Sequence, residues 1–422
     1  MWSTNCYTVL MKISTKQFNN IGKWFIVVTV IVCLGKVYVD KKIGEITVPP
    51  KGDVGMVEAG EEVDFLELPA GFKATYYAKG VDGARVMEWD SQGRMLVSQT
   101  GEGKISVLID ENGDGTVESV KTLIDNLDKP HGMTIKCNPV GNPPCHLYVA
   151  QHGELSRYAY DADKIELSQY TKLMDLPKSK TDRHYTRTLL DLSTEQENRL
   201  LISVGSSCNV CDEKDGVRGK IISYDIDTGE ISDYARGLRN AAFMTRNPLD
   251  GRIFMTEMGR DGLGDDTPPD EINVIDPDKV TSVPNFGWPI CYGQNIHDGD
   301  FDKKQYIRDP CEDPTPAYVD LQAHSAPLGL SFFGEESWPQ EYWFDLLVAY
   351  HGSWNREVPT GYKIVRVKTD KNGESAGVED FITGWLSPEG DKLGRPADVR
   401  VMPGTIYISD DMKGVIYKIS RI

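Results

Sequence analysis

Six times along this chain a polar, turn-forming stretch gives way to a four-residue apolar strand and then to a tight polar break. The copies are Arg94–Val97, His146–Val149, Arg199–Ile202, Arg252–Met255, Asp345–Val348 and Thr405–Ile408. They sit about 50 to 60 residues apart, with one gap near 90. Most are followed by another short strand of alternating apolar residues, as at Gly219–Asp225 and Gly361–Val367. A repeat of this length is a small sheet that cannot bury its own faces and must stack on its neighbours. A two-sheet sandwich would space its turns every ~8 to 12 residues without the longer period. Sustained helical periodicity is hard to find beyond the N-terminal segment, and strands bounded by Gly, Asp and Asn dominate. The predicted fold is therefore all-β: a six-bladed β-propeller over residues 68–422 with loop insertions on one face. The wide gap, about Asp261 to Ser325, is rich in Pro and Gly, holds Cys291 and Cys311, and is read as those insertions. Loops on a rigid scaffold commonly carry function, so the chemistry is expected there and at the central axis.

The N-terminus reads as a targeting segment. Lys12, Lys16 and Lys23 precede an apolar run, Trp24 to Leu34, of about 11 residues, short of the ~20 that span a bilayer. Residues 1–40 are thus expected to be a signal peptide or an uncleaved N-terminal anchor, and 41–67 a linker and lead-in strand. An exported chain, periplasmic or extracellular, follows. Two of the eight cysteines, Cys6 and Cys33, lie in or before that segment. The other six fall as close pairs: Cys137 with Cys145, Cys208 with Cys211, and Cys291 with Cys311. In an oxidising compartment this spacing suggests local disulfides. For Cys208-Asn209-Val210-Cys211 a metal or redox role is the alternative, although no second ligand pair stands at zinc spacing. The formal net charge of -18 excludes a nucleic-acid partner, which would draw on clustered cations. No Gly-x-Gly-x-x-Gly after a strand points to a nicotinamide cofactor.

The middle of the chain is more specific. Gly237-Leu238-Arg239-Asn240, Glu257-Met258-Gly259-Arg260, Asp270-Glu271-Ile272-Asn273, Asn285-Phe286-Gly287-Trp288-Pro289, His324 to Gly329 and His351-Gly352-Ser353-Trp354-Asn355-Arg356 occur in that order. Together they resemble the soluble pyrroloquinoline-quinone (PQQ) dehydrogenases, in particular the sorbosone and aldose-sugar branch, from about Leu68 to Ile419. The resemblance implies a quinoprotein that oxidises a sugar with PQQ and Ca²⁺. His184, in Arg183-His184-Tyr185-Thr186-Arg187, falls at the family's catalytic base, and neutral imidazole suits removal of a hydroxyl proton. Arg239 and Asn240 match the pair beside the quinone, where a fixed guanidinium can hold developing charge on the quinone oxygen. Gly259 and Arg260 match the two residues whose backbone carbonyls bind the active-site calcium, a role that needs no particular side chain. Arg395 matches the first of two arginines that clamp the quinone carboxylates. The second position is Ala397, and a lysine that other members place near Gly334 is missing. PQQ carries three carboxylates, so local cations must hold it; Arg187, Arg356 and Lys129 are candidates. His131 stands where the family puts a polar cofactor contact, or is a satisfied structural histidine. Electrons would leave to an external acceptor, a quinone or cytochrome, and the N-terminal segment could tether the protein to a membrane.

Asp110-Glu111-Asn112-Gly113-Asp114-Gly115 has oxygens at alternate positions like a calcium loop. Its twelfth position is Lys121, however, and Asn-Gly and Asp-Gly also make hairpin turns. Two other functions compete with the dehydrogenase. A calcium-dependent, lactonase-like hydrolase would set the metal on several acidic side chains around the axis. A non-catalytic binding propeller would follow if Ala397 and Gly334 abolish cofactor binding.

Overall fold

The computed structural model describes residues 60–137, 145–178, 183–194, 197–370 and 373–422. The chain divides into Met1–Val57 and Glu58–Ile422, and the predicted leader lies outside the described residues. Within the second unit stand six four-stranded antiparallel sheets. Blades 1, 2, 3 and 5 run in chain order from Ala84–Trp89 to Ser119–Ile124, from Met133–Cys137 to Glu166–Asp175, from Leu189–Asp191 to Ile231–Arg236, and from Pro327–Phe332 to Ser375–Ile382. Blade 4 joins Ala241–Arg246, Ile253–Glu257, Asp270–Ile275 and Val319–Leu321. Blade 6 takes Pro396–Met402, Thr405–Asp410 and Val415–Arg421 from the C-terminus, and its outer strand is the first of the described domain, Phe72–Lys79. That pairing closes the ring. The first strands of successive blades touch one another in a closed circuit around the axis. Six blades, as the repeat predicts, are present, and the described residues hold only a short 3₁₀ turn, Gln340–Tyr342, as helix.

Each apolar tetrapeptide of the repeat falls in or at the start of the second strand of its blade. Those strands are buried on both faces, Met95–Gln99 and Leu346–Tyr350 along their whole length, because each sheet is covered by a neighbour on either side. They therefore read as continuous apolar runs instead of alternating ones. The core is accordingly spread between blades: Tyr148, Leu155, Leu200, Ile202 and Ile222 pack blade 2 on blade 3, and Leu201, Ile221, Met244 and Met255 pack blade 3 on blade 4. Outer strands such as Glu166–Asp175 face water.

The stretch read as pure insertion is a mixture. Asp270–Ile275 and Val319–Leu321 are strands of blade 4, the first hidden in the sequence by its Asp-Glu start and the two prolines before it, the second by its length of three residues. The true excursions are 258–269 and 276–318, the latter holding a two-residue ribbon and the Cys291–Cys311 disulfide. Cys137–Cys145 and Cys208–Cys211 are bonded as well. The Asp110 loop is a turn in which its carboxylate accepts the Gly113 and Gly115 N–H groups, with Asp114 and Glu118, not Lys121, alongside.

Candidate active site

In an up-and-down blade the link from second to third strand and the link to the next blade emerge at the same end. All eight sequence-predicted residues (His131, His184, Arg239, Asn240, Gly259, Arg260, Arg356 and Arg395) lie in such links. The repeat thus gathers them on one face although up to 264 positions separate them in the chain.

His184 occupies the link from blade 2 to blade 3 with a left-handed φ of 46°, a conformation that non-glycine residues adopt only when their surroundings enforce it. The enforcement comes from Arg187. This fully buried arginine donates from Nη1 to the His184 and Thr186 carbonyls (2.6 and 2.7 Å) and from Nη2 to that of Pro177 (2.9 Å). Burial and the Arg218 guanidinium push its pKa down to about 9. Arg187 supports the loop from within through both Nη groups, while its buried Nε has no hydrogen-bond partner among the described residues. His184 Nδ1 lies 3.0 Å from both the carbonyl oxygen and Oγ of Ser206, while that hydroxyl donates to the Cys208 carbonyl at 2.7 Å. A carbonyl only accepts, so the proton sits on Nδ1, and Nε2 keeps its lone pair. Burial, then the Arg239 guanidinium, push the imidazole pKa down to about 3, so the ring is neutral.

Arg239 and Asn240 head the first strand of blade 4, against His184. A Cβ built on Gly205 would come within 2.7 Å of both His184 Cβ and Asn240 Oδ1. Arg239 is buried, and four of its five N–H donors are taken: Nε by the Asn209 carbonyl (2.9 Å), Nη1 by the Met258 carbonyl (3.2 Å), and Nη2 by Asn209 Oδ1 (2.9 Å) and Asp261 Oδ2 (3.1 Å). One N–H on Nη1 is left over. Beneath the pair, Glu257 Oε1 accepts the Arg239 and Asn240 backbone N–H groups at 2.7 and 2.8 Å, and its buried Oε2 has no partner among the described residues. Burial and the facing Glu271 raise the Glu257 pKa to about 8, and burial raises Asp270 to about 7. Asp270 accepts the N–H groups of Gly259 and Ala326, both at 2.9 Å. No hydrogen bond reaches the carbonyl oxygens of Gly259 or Arg260 among the described residues, while the Arg260 side chain pairs with Asp298.

A second group surrounds the axis. His131 is fully buried, its Nε2 has no partner among the described residues, and burial together with Arg85 holds its pKa well below the usual imidazole value. Arg395 donates to the His351 and Gly352 carbonyls (3.0 and 2.8 Å). His351 Nε2 lies 2.8 Å from Asp411, which also pairs with Arg85 at 2.5 Å. Burial opposes the Asp411 charge, but His351 and Arg85 outweigh it and hold the carboxyl low. Arg356 is engaged along its own loop and beyond, with the carbonyls of Asp265 and Ala323 and the Asp266 carboxylate, while Asn355 reaches Asp261 at 2.9 Å. Lys129 lies over the Tyr185 ring.

Arg85, Asn209 and Asp411 escaped the sequence reading. For Arg85 a signal existed: like Arg239 and Arg395 it stands at the head of a blade's first strand. It lies at a register shift between Ala84 and Met87, where the bulge re-aims the side chain.

Among known proteins, the chain is 30% identical over 381 residues to an uncharacterised protein of Borreliella burgdorferi, covering 86% of this chain and 93% of that one. It is 26% identical over 342 residues, 72% of its length, to a pyrroloquinoline quinone-dependent pyranose dehydrogenase of Coprinopsis cinerea, of which it spans only 44%. In fold it resembles a Trichoderma reesei carbohydrate-active enzyme of family AA12, with a TM-score of 0.71 at 23% identity over 87% of this chain and 99% of that one. It also resembles the holo PQQ domain of the C. cinerea enzyme, with a TM-score of 0.68 at 21% identity over 84% and 97%. The match to a family model runs over residues 66–421, the whole propeller, and on that ground the chain belongs to the TrAA12-like family.

Proposed function

We propose that this protein oxidises a sugar at a hydroxyl-bearing carbon with PQQ and Ca²⁺ as cofactors, His184 taking the hydroxyl proton. The observation that carries the reading is the His184 imidazole itself: neutral, tied through Nδ1 to Ser206, with its Nε2 lone pair left over, and flanking Gly205 together with Asn240, close enough to Arg239 to feel its charge. A base must keep an accepting nitrogen within reach of the proton it removes, and Nδ1 fixation orients the ring for that. PQQ, when bound, supplies the two-electron sink that accepts the hydride. The remaining Arg239 N–H is a donor for a developing oxyanion in a water-poor site.

The residues fit the cofactors. Calcium takes hard oxygen ligands, and the Gly259 and Arg260 carbonyls accept no hydrogen bond among the described residues. Beside them lie Glu257, with an orphaned buried oxygen, and Asp270, both carboxyls raised by burial; a divalent cation would favour their charged forms. For the quinone carboxylates, Arg395 and Arg85 would supply charge that Ala397 does not, with Arg356 at the rim and His131 Nε2 as a polar contact. The substrate would be an aldose or sorbosone-like sugar, and electrons would pass to an external quinone or cytochrome. Three disulfides suit an exported protein; the N-terminal segment would be its leader or its tether.

The hydrolase reading gains no support from the metal-capable clusters among the described residues. Cys208, Cys211 and Glu213 come from one loop, and Asp110, Asp114 and Glu118 from another, whereas such a hydrolase draws its ligands from several blades. The test is to load the purified protein with PQQ and Ca²⁺ and follow dye reduction across a sugar panel. Dye reduction on at least one sugar is expected. Failure to bind PQQ would leave the non-catalytic propeller, and lactone hydrolysis with calcium alone would favour the hydrolase.

A further inference from the structure

The loop that joins the second and third strands of blade 3, residues 205–219, touches both groups to which the chemistry is assigned. Its Ser206 fixes His184 Nδ1 and donates its own hydroxyl hydrogen bond to the Cys208 carbonyl at 2.7 Å. Its Asn209 meets Arg239 twice, through the backbone carbonyl to Nε and through Oδ1 to Nη2, both at 2.9 Å. The same amide takes the Asp261 N–H on Oδ1 at 2.8 Å and donates Nδ2–H to the Asp261 carbonyl at 2.8 Å. Two donors facing Oδ1 and a carbonyl facing Nδ2 fix the amide in one orientation. Asp261 then completes the triangle with its 3.1 Å ion pair to Arg239.

This is a long loop without regular structure, and its ordering has a visible cause. Cys208 and Cys211, on either side of Asn209-Val210, are disulfide-bonded. On the far side the Glu213 carboxylate accepts the Ser207 N–H and hydroxyl at 2.7 and 3.1 Å and the Lys214 N–H at 3.1 Å. With those donors in place, Glu213 is a cap for the loop and not a third metal ligand. A Cys-x-x-Cys sequence directs attention to its sulfurs; here the residue between them makes the contacts that matter.

We propose that Asn209 is a positioning residue for Arg239, and that the Cys208–Cys211 disulfide is the brace that holds Asn209 in place. One small ring thereby sets the quinone-side arginine directly and the base through Ser206. The inference rests on the proposed PQQ reading for its consequence, but its geometry can be tested without the cofactor.

The experiment compares Asn209→Ala, the Cys208→Ser/Cys211→Ser pair and the triple variant with wild type, all as full-length exported chain. Losing hydrogen bonds to a charged group should weaken PQQ binding, followed by quinone absorbance, by about 10- to 100-fold in Asn209→Ala. Turnover should fall while KM for the sugar stays within about twofold, since Asn209 is placed against Arg239 and not against substrate. The cysteine pair should reproduce part of the loss. The triple variant should lose at least as much PQQ affinity as Asn209→Ala but less than the sum of the two separate losses, because the brace acts on Arg239 through the Asn209 side chain and through the backbone carbonyl that alanine retains. Crystal structures of unliganded Asn209→Ala and of the cysteine pair should place the Arg239 guanidinium away from its wild-type position. An unmoved Arg239 in both, or unchanged PQQ affinity in a folded Asn209→Ala protein, overturns the proposal. A wild-type chain that binds no PQQ would overturn the proposed function instead, and the unliganded structures would still decide the role of Asn209.

Discussion

Gly205 offers a test of whether His184 and Asn240 stand where the reaction takes place. It follows the second strand of blade 3, and its φ lies outside the left-handed region, so alanine introduces no backbone strain there. The added methyl would stand 2.7 Å from His184 Cβ and 2.7 Å from Asn240 Oδ1, against an ordinary contact of 3.4 Å or more. One or both groups must retreat by about 0.7 Å. Misplacement of a reacting group by ~1 Å can cost on the order of 10²-fold in rate, so Gly205→Ala should lower turnover by roughly 10- to 100-fold. Overpacking of this kind costs about 1–3 kcal/mol, which in a domain of this size lowers the melting temperature by only several degrees. Activity should therefore fall well before the fold does. The control is Gly216→Ala in the same loop, where a methyl meets nothing within 4 Å. The assay is dye-coupled turnover of the PQQ- and calcium-loaded protein, with PQQ binding and melting temperature measured on the same samples. Full turnover in a folded, PQQ-loaded Gly205→Ala protein would refute the placement of both groups.

Replacing His184 by Ala should lower turnover by about 10² to 10⁴ with PQQ binding nearly intact; joint loss of PQQ binding and thermal stability would mark the residue as structural. The folded protein lowers the His184 pKa from 6.5 to about 3, so the base stays neutral, and activity that depends on it persists, as pH falls through 6.5; an acid limb at 6.5 would contradict this. The same shift makes the unfolded chain take up the proton first, so His184 contributes a loss of stability between pH 6.5 and about 3, visible as a falling melting temperature in wild type and a shallower fall in His184→Ala. Removing Ca²⁺ with a chelator should weaken PQQ binding, read from quinone absorbance, and readdition should restore it; binding indifferent to calcium would reject the Gly259–Arg260 assignment. Deleting residues 415–422 should unfold the propeller, because that strand sits between Phe72–Lys79 and Thr405–Asp410 and buries Ile416, Tyr417 and Ile419 completely. At about 1.5–3 kcal/mol per buried side chain the loss approaches the whole stability of a domain, and a cooperative melt near the wild-type temperature would refute it.

The blade count was legible in the sequence because stacked sheets bury their second strands on both faces, which writes an uninterrupted apolar run once per blade. The motif residues were legible as well, and the repeat itself dictates that links between strands converge on one face. What each of those residues is free to do was decided only by tertiary contacts. Arg187 and Arg395 are both arginines in motif positions, and tertiary contacts commit one to the carbonyls of Pro177, His184 and Thr186 and the other to those of His351 and Gly352. The proton on His184 Nδ1 depends on a carbonyl 22 residues away. Asn209 acquires its role from Asp261 across 52 residues, and Arg85 from Asp411 across 326. Local sequence fixes which strands form and where turns fall, since propensity and burial act within a few residues. It carries no record of which donor meets which acceptor across a closed ring, because that geometry exists only once the last strand has paired with the first.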